Sequence, residues 1–364
     1  MSLHDVRRQA GQLVIAGFAG HSLPADLRLL AKEFDLGGVI LFARNVESPE
    51  QVAELARDTQ TLMKDIPLWV SVDQEGGRVA RLRSPFTVWP PMVTLGRAGD
   101  EQLAARFARV LAAELRAVGI TLDYTPVLDI LTNPNNPAIG DRALGERAED
   151  VARLGKVLIH TLQAEGVAAC SKHFPGHGDT AVDSHLELPL VEHPPDRLRA
   201  VELVPFRAAI EADVAAIMTG HLLIPALDEE RPGTLSPAIV DGLLKKDLGF
   251  GGLVLSDDLE MRAIRARYTT AQATTTAVAA GCDAVLLCGE SQEVQFEALE
   301  TLVHAVEQGT IPLARVENAL SRHRRVKERF LAGPRLRPLE GRALRALLGR
   351  DEHQAVAAEM ARFA

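Results

Sequence analysis

Short, almost uninterrupted apolar runs punctuate this chain, and longer stretches with helical periodicity separate them. The runs cover residues 13–18, 38–42, 68–73, 121–129, 167–173, 215–221, 252–257 and 284–288, and are built mostly from Val, Ile, Leu and Ala. Strands half-exposed to water alternate apolar and polar side chains. Continuous runs of this length instead predict parallel strands covered on both faces. Between them, Leu103, Phe107, Val110, Leu111 and Leu115 recur at helical spacing, as do Val151, Leu154, Val157, Leu158 and Leu162. Ser236-Pro237 reads as an N-cap followed by proline at the first helical position. Gly166 and Gly281 stand where a helix must stop before the next strand.

Strand and helix alternate eight times over most of the 364 residues. That predicts an α/β fold, a single (β/α)8 TIM-type barrel, with a doubly wound open sheet as the structural alternative. From about Pro334 the sequence turns Arg- and Leu-rich and helical. The expected organisation is a catalytic barrel over residues 1–333 and a C-terminal helical extension over 334–364.

Composition narrows the function classes. Apolar residues make up 47%, enough for a large core, and the formal net charge of −9 argues against nucleic acid as the main partner. Cys170, Cys282 and Cys288 sit in apolar surroundings and read as buried free thiols. Leu13 to Gly20 is too short and wrongly flanked for a secretion signal, and no run reaches the ~20 apolar residues of a membrane span. A cytoplasmic protein without membrane insertion is expected.

In a barrel of this type, catalytic side chains come from the C-terminal ends of the strands. Polar residues gather at five of these ends: Asp73-Gln74-Glu75-Gly76-Gly77-Arg78 with Arg81, the segment from Asp129 to Arg142, Lys172-His173 and the loop after it, His221, and Ser256-Asp257-Asp258. The loop 172–185 alone carries three histidines, two aspartates and a lysine. Asp257 is the candidate nucleophile, a carboxylate placed to attack an anomeric carbon. An N-terminal cap on the next helix is its plainer alternative. Asp183 and His185, two apart, could form a hydrogen-bonded pair that fixes the imidazole tautomer and raises its pKa, with His173 and His177 competing for that role. Asp73, Arg81, Arg142 and Lys172 offer the mixed donors and acceptors that sugar hydroxyls require, or else a surface ion-pair network. His221 reads equally as a cleft residue or a satisfied core histidine. A metal-dependent barrel hydrolase using His173, His177, Asp179, Asp183 and His185 is the rival chemistry, but strand one ends without a His pair.

The segments Lys172–Thr180 and Asp183-Ser184-His185 resemble a signature of the single-domain β-N-acetylhexosaminidases of glycoside hydrolase family 3. Asp73–Val79 with Arg81, Gly140-Asp141-Arg142, and Ser256-Asp257-Asp258-Leu259 with Met261 extend the likeness. It runs from about Leu13 to about Arg322. The resemblance implies a retaining exo-β-N-acetylglucosaminidase without metal or organic cofactor. Its Asp257 would be the nucleophile and His185 the general acid/base supported by Asp183. Asp73, Arg81, Arg142, Lys172 and His173 would bind the sugar. Such enzymes act on peptidoglycan-derived muropeptides in the cytoplasm. A histidine acid/base leaves a phosphorylase, with phosphate replacing water, as the alternative. Ala143-Leu144 departs from the commoner Ser-Phe, and the extension carries no familiar motif, so oligomeric state stays open.

Overall fold

The computed structural model describes residues 3–63, 67–332 and 337–364. The expected boundary at 333/334 lies outside them. Eight parallel strands close into a barrel in chain order: β1 (Val14–Ala16), β2 (Gly38–Leu41), β3 (Trp69–Val72), β4 (Leu122–Asp123), β5 (Ala168–Phe174), β6 (Ala216–Thr219), β7 (Leu253–Asp258) and β8 (Ala284–Leu287). β1 closes the ring on β8 through the pairs Val14–Val285, Ile15–Leu286 and Ala16–Leu287. The open-sheet alternative is therefore excluded.

Why the strands are apolar on both faces follows from where alternate residues point. Ile15, Ile40, Trp69, Leu122, Tyr124, Cys170, Met218, Leu255 and Leu286 pack inside the barrel. Their neighbours Val14, Val39, Val70, Ala169, Ile217, Val254 and Val285 pack outward under the helices. The bulky Trp69 and Tyr124 are accommodated because Ala168, Ala216 and Ala284 share the interior with them. Each fully buried Leu or Ile stabilises this arrangement by roughly 1.5–3 kcal/mol.

The predicted helices form at Glu101–Ala117 and Ala148–Ala164, burying Leu103, Phe107, Leu111 and Leu115, and Val151, Leu154, Leu158 and Leu162. Val110 and Val157 are only half-buried. Gly166 and Gly281 end their helices at φ +90° and +125°, where a side chain would be strained. Ser236 Oγ accepts from Ile239 N at 3.3 Å, although the segment it opens, Ala238–Asp247, winds as a π-helix.

One strand departs plainly from the sequence expectation. β4 spans two residues rather than the whole of 121–129, because Pro126 has no N–H to continue the ladder. The rest of that run still follows β5, with Cys170 N donating to Thr125 O and Leu128 N to Lys172 O. The helix Leu313–Leu331 closes the barrel floor: Val326, Phe330 and Leu331 join the interior cluster, and Trp69 Nε1 donates to His323 Nε2 at 2.8 Å.

Beyond the barrel, helices Gly341–Leu347 and Asp351–Ala361 pack against the outer layer. Arg106 pairs with Glu359 through two 2.7 Å hydrogen bonds, and Leu339 N donates to Ala117 O. The three cysteines are free and buried, and burial pushes the Cys282 thiol up to about 12.

Candidate active site

At the C-terminal mouth of the barrel one cavity of about 190 Å³ is lined by the eight residues expected to carry catalysis and sugar binding, Asp73, Arg81, Arg142, Lys172, His173, Asp183, His185 and Asp257, and by His177, but not by Asp179 or His221. Ile40, Phe42, Met218, Leu286 and Cys288 add apolar surface. Closure of the barrel makes the convergence, since these side chains leave the ends of β5 and β7 and the loops after β3, β4 and β5.

Its cationic wall is organised by Glu75, which is 1% exposed. The carboxylate receives Arg142 Nε and Nη2 at 2.9 and 2.8 Å and lies 2.7 Å from Lys172 Nζ. Burial alone would raise the Glu75 pKa, but the charges of Arg142 and Lys172 outweigh it and hold the group well below the usual carboxylate range. Lys172 Nζ also donates to Asp73 Oδ1 at 2.6 Å, and Arg81 reaches Asp73 Oδ2 at 3.4 Å. One buried carboxylate, Glu75, and one half-buried, Asp73, thus aim three cations.

Asp129, fully buried, ties the loop after β4 to the end of β5. It accepts from His173 N, from His177 N at 2.6 Å, and pairs with His173 Nδ1 at 2.6 Å. Burial opposes its ionisation, yet His173, His177 and these N–H donors lower its pKa. His177 is the opposite case: burial depresses its pKa to about 4, so it is neutral at pH 7. Thr180 donates its hydroxyl proton to His177 O, which leaves Thr180 Oγ1 accepting from Nδ1–H and Nε2 accepting from Ser184. His177 therefore pins Ser184 and, with it, the residues on either side.

Those residues are Asp183 and His185. Asp183 Oδ1 accepts from His185 N at 2.9 Å and pairs with His185 Nδ1 at 2.7 Å. Despite some burial, these bonds and the nearby imidazoles lower the Asp183 pKa. His185 is exposed and lines the cavity, with its Nδ1 engaged by Asp183.

Asp257 and Asp258 end β7 side by side. Asp257 Oδ1 accepts from Asp258 N at 2.8 Å. Burial works against its charge, but His221, His173, that N–H and His185 bring its pKa below the ordinary value. At Asp258 burial dominates and raises the pKa to about 7, although its Oδ1 accepts from Glu260 N and Cys288 N.

His221 proves to be a satisfied core histidine. It is fully buried, pairs with Thr234 through Nδ1 and donates Nε2–H to Asp258 O at 2.8 Å. Among the described residues no group of three or more His, Cys, Asp and Glu is placed to hold a metal ion. The histidines of the rival metal chemistry are each spoken for by a carboxylate or hydroxyl partner. Three buried carboxyl groups escaped the sequence reading as site members: Glu75, Asp129 and Asp258. Glu75 and Asp258 sit inside the quoted motifs; a charged residue within a Gly-rich turn was the signal for Glu75, and a second carboxyl beside Asp257 at the strand end was the signal for Asp258. Nothing local marked Asp129 as the partner of a histidine 44 residues away.

A half-buried ionised carboxylate, an exposed His–Asp pair and fixed cations around one cavity at a barrel mouth define a glycoside-cleaving enzyme. A profile of the glycosyl hydrolase family 3 N-terminal domain matches residues 5–326, and the chain belongs to that family. It is 39% identical over 310 residues to a beta-hexosaminidase of Nitrosomonas eutropha, covering 80% of this chain and 88% of that one. A family 3 beta-N-acetylglucosaminidase from a Paenibacillus species superposes with a TM-score of 0.93 at 42% identity, over 98% of this chain and 68% of its own. NagZ from Neisseria gonorrhoeae, solved in complex with N-trifluoroacetyl-D-glucosamine, superposes with a TM-score of 0.78 at 33% identity over 99% of each chain. The protein is thus a glycoside hydrolase of the β-hexosaminidase type.

Proposed function

We propose that the enzyme is a retaining exo-β-N-acetylglucosaminidase that removes terminal β-linked N-acetylglucosamine from peptidoglycan-derived muropeptides in the cytoplasm. The observation that carries this reading is the convergence of Asp257 and the His185–Asp183 pair on a single cavity. Asp257 attacks the anomeric carbon while protonated His185 gives its Nε2 proton to the departing oxygen. The bond to the aglycone breaks as the Asp257 ester forms. Neutral His185 then takes a proton from water, whose oxygen attacks the same carbon and releases Asp257. Asp183, accepting from Nδ1–H, keeps Nε2 turned to the reaction and stabilises the imidazolium. Asp73, Arg81, Arg142, Lys172 and His173 bind the sugar. The Neisseria relative, bound to an N-acylated glucosamine, supports that glycone.

The deciding assay compares 4-nitrophenyl N-acetyl-β-glucosaminide with the corresponding glucoside, with and without phosphate. Hydrolysis confined to the N-acetyl sugar is expected, and Asp257→Ala should lower kcat by roughly 10³-fold or more with the fold intact. Near-parental turnover of that variant would end the assignment. A rate that depends on phosphate, with sugar phosphate as product, would replace hydrolysis by phosphorolysis.

A further inference from the structure

The helical extension after residue 336 lies beyond the family match, which stops at 326, and the chemistry above gives it no task. Its two helices meet at Leu348–Arg350, and that junction lies on the returning limb of the loop after β3. This is the loop that carries Arg78 and Arg81 into the cavity.

One buried carboxylate connects the three parts. Glu114, on the helix Glu101–Ala117, is 3% exposed. From the β3 loop it accepts Thr87 N at 2.8 Å and Thr87 Oγ1 at 2.7 Å. From the extension it accepts Gly349 N at 2.8 Å and pairs with His353 Nδ1 at 2.8 Å. Arg350 Nε donates to His353 Nε2, which leaves Nδ1 as the donor to Glu114. Gly349 itself sits at φ +54°, and a Cβ there would come within 2.2 Å of Pro85 O. The extension therefore touches the loop directly as well as through Glu114. From Thr87 the path to the cavity is short. Trp89 O accepts from Gly77 N at 3.0 Å, and Trp89 stacks edge-on against Phe107 at 4.7 Å. Inside the loop, Gln74 Oε1 accepts from Arg81 N and Leu82 N.

We propose that Glu114 and Gly349 form a clasp through which the C-terminal extension positions the β3 loop, and with it Arg81, for sugar binding. Glu114 is a positioning residue, because it touches neither cavity nor substrate. The sugar-binding part of this inference rests on the function proposed above; the clasp itself does not.

Gly349→Ala and Glu114→Gln test it in the full chain. The first presses a methyl group on Pro85 O, and the second replaces one accepting oxygen with an amide nitrogen. Amide exchange across residues 76–91 should speed up by ~10-fold or more. On the aryl N-acetylglucosaminide, KM should rise roughly fivefold to twentyfold with kcat within about twofold. If Gly349→Ala fails to fold, Glu114→Gln carries the test. Variants that unfold at the parental temperature with parental exchange across 76–91 overturn the clasp. Faster exchange with an unchanged KM also overturns it, since the loop would then be held without being positioned. A parent enzyme inactive on the aryl glycoside would instead fail the functional reading, and exchange would still decide the clasp.

Discussion

Asp257 and Asp258 are adjacent carboxyl groups at one strand end, yet their surroundings push them in opposite directions. Imidazoles and an N–H overcome burial at Asp257, while burial prevails at Asp258 and raises it to about 7. Asp258 binds more protons folded than unfolded between pH 4 and 7, so the stability it contributes is present at low pH and lost as pH rises through about 7. Asp258→Asn keeps an oxygen to accept from Glu260 N and Cys288 N without the buried charge. That variant should gain about 1 kcal/mol or more over the parent at pH 8. Denaturant melts showing no gain there, relative to pH 5, would refute this. His185 makes a second residue-scale prediction. His185→Ala should cost ~10²–10⁴-fold on glycosides with poor leaving groups and far less on activated aryl glycosides. Equal losses across a leaving-group series would mean that His185 only positions the substrate. Asp257, lowered below its ordinary value, should move the acidic fall in rate below the usual carboxylate range.

At the scale of elements, the site depends on how the ends of β4 and β5 are joined. Pro126 stops the β4 ladder early and frees the following residues to bring Asp129 beneath His173 and His177. One carboxylate then holds two backbone N–H groups and one imidazole. His177 passes that order on to Ser184, between Asp183 and His185. Asp129→Asn removes the charge and forces one NH₂ against these donors. Turnover should fall by about 10–100-fold through misplacement of both His173 and the loop, with the protein still folded. Parental kcat/KM in a well-folded variant would show that the loop orders itself. The eight runs were legible as strands because burial on both faces makes them mostly apolar, with the charged residues gathered toward their C-terminal ends. The length of β4 was not, because its ending depends on one missing hydrogen-bond donor within an otherwise apolar stretch.

For the whole molecule, barrel closure has two ends with different jobs. The mouth gathers charge, whereas the floor is sealed by the helix Leu313–Leu331, which takes Lys327 and His323 out of water. Lys327 Nζ donates to Gln12 Oε1 at 2.9 Å, and burial lowers its pKa to about 7. An amine whose folded pKa is depressed favours the folded state fully only above its unfolded value, and that benefit is lost as pH falls through about 7. The difference in stability between Lys327→Met and the parent should therefore be largest at or below pH 7 and shrink toward pH 10. A difference that stays constant over this range would mean that the amine keeps its ordinary protonation.

Chain chemistry alone determined the alternation of eight strands and helices, the family likeness and the motifs whose residues meet in the cavity, while closure of β1 on β8 decided the barrel against an open sheet. These depend on local composition and on motifs that survive as contiguous text. Tertiary structure decided the partners. Glu75 became the organiser of Arg142 and Lys172, Asp129 the support of two histidines, and Glu114 the junction between loop and extension. The physical reason is that a buried charge is tolerable only where folding supplies its counter-charge or donors, and those arrive from distant strands. No spacing along the chain records which ones will come.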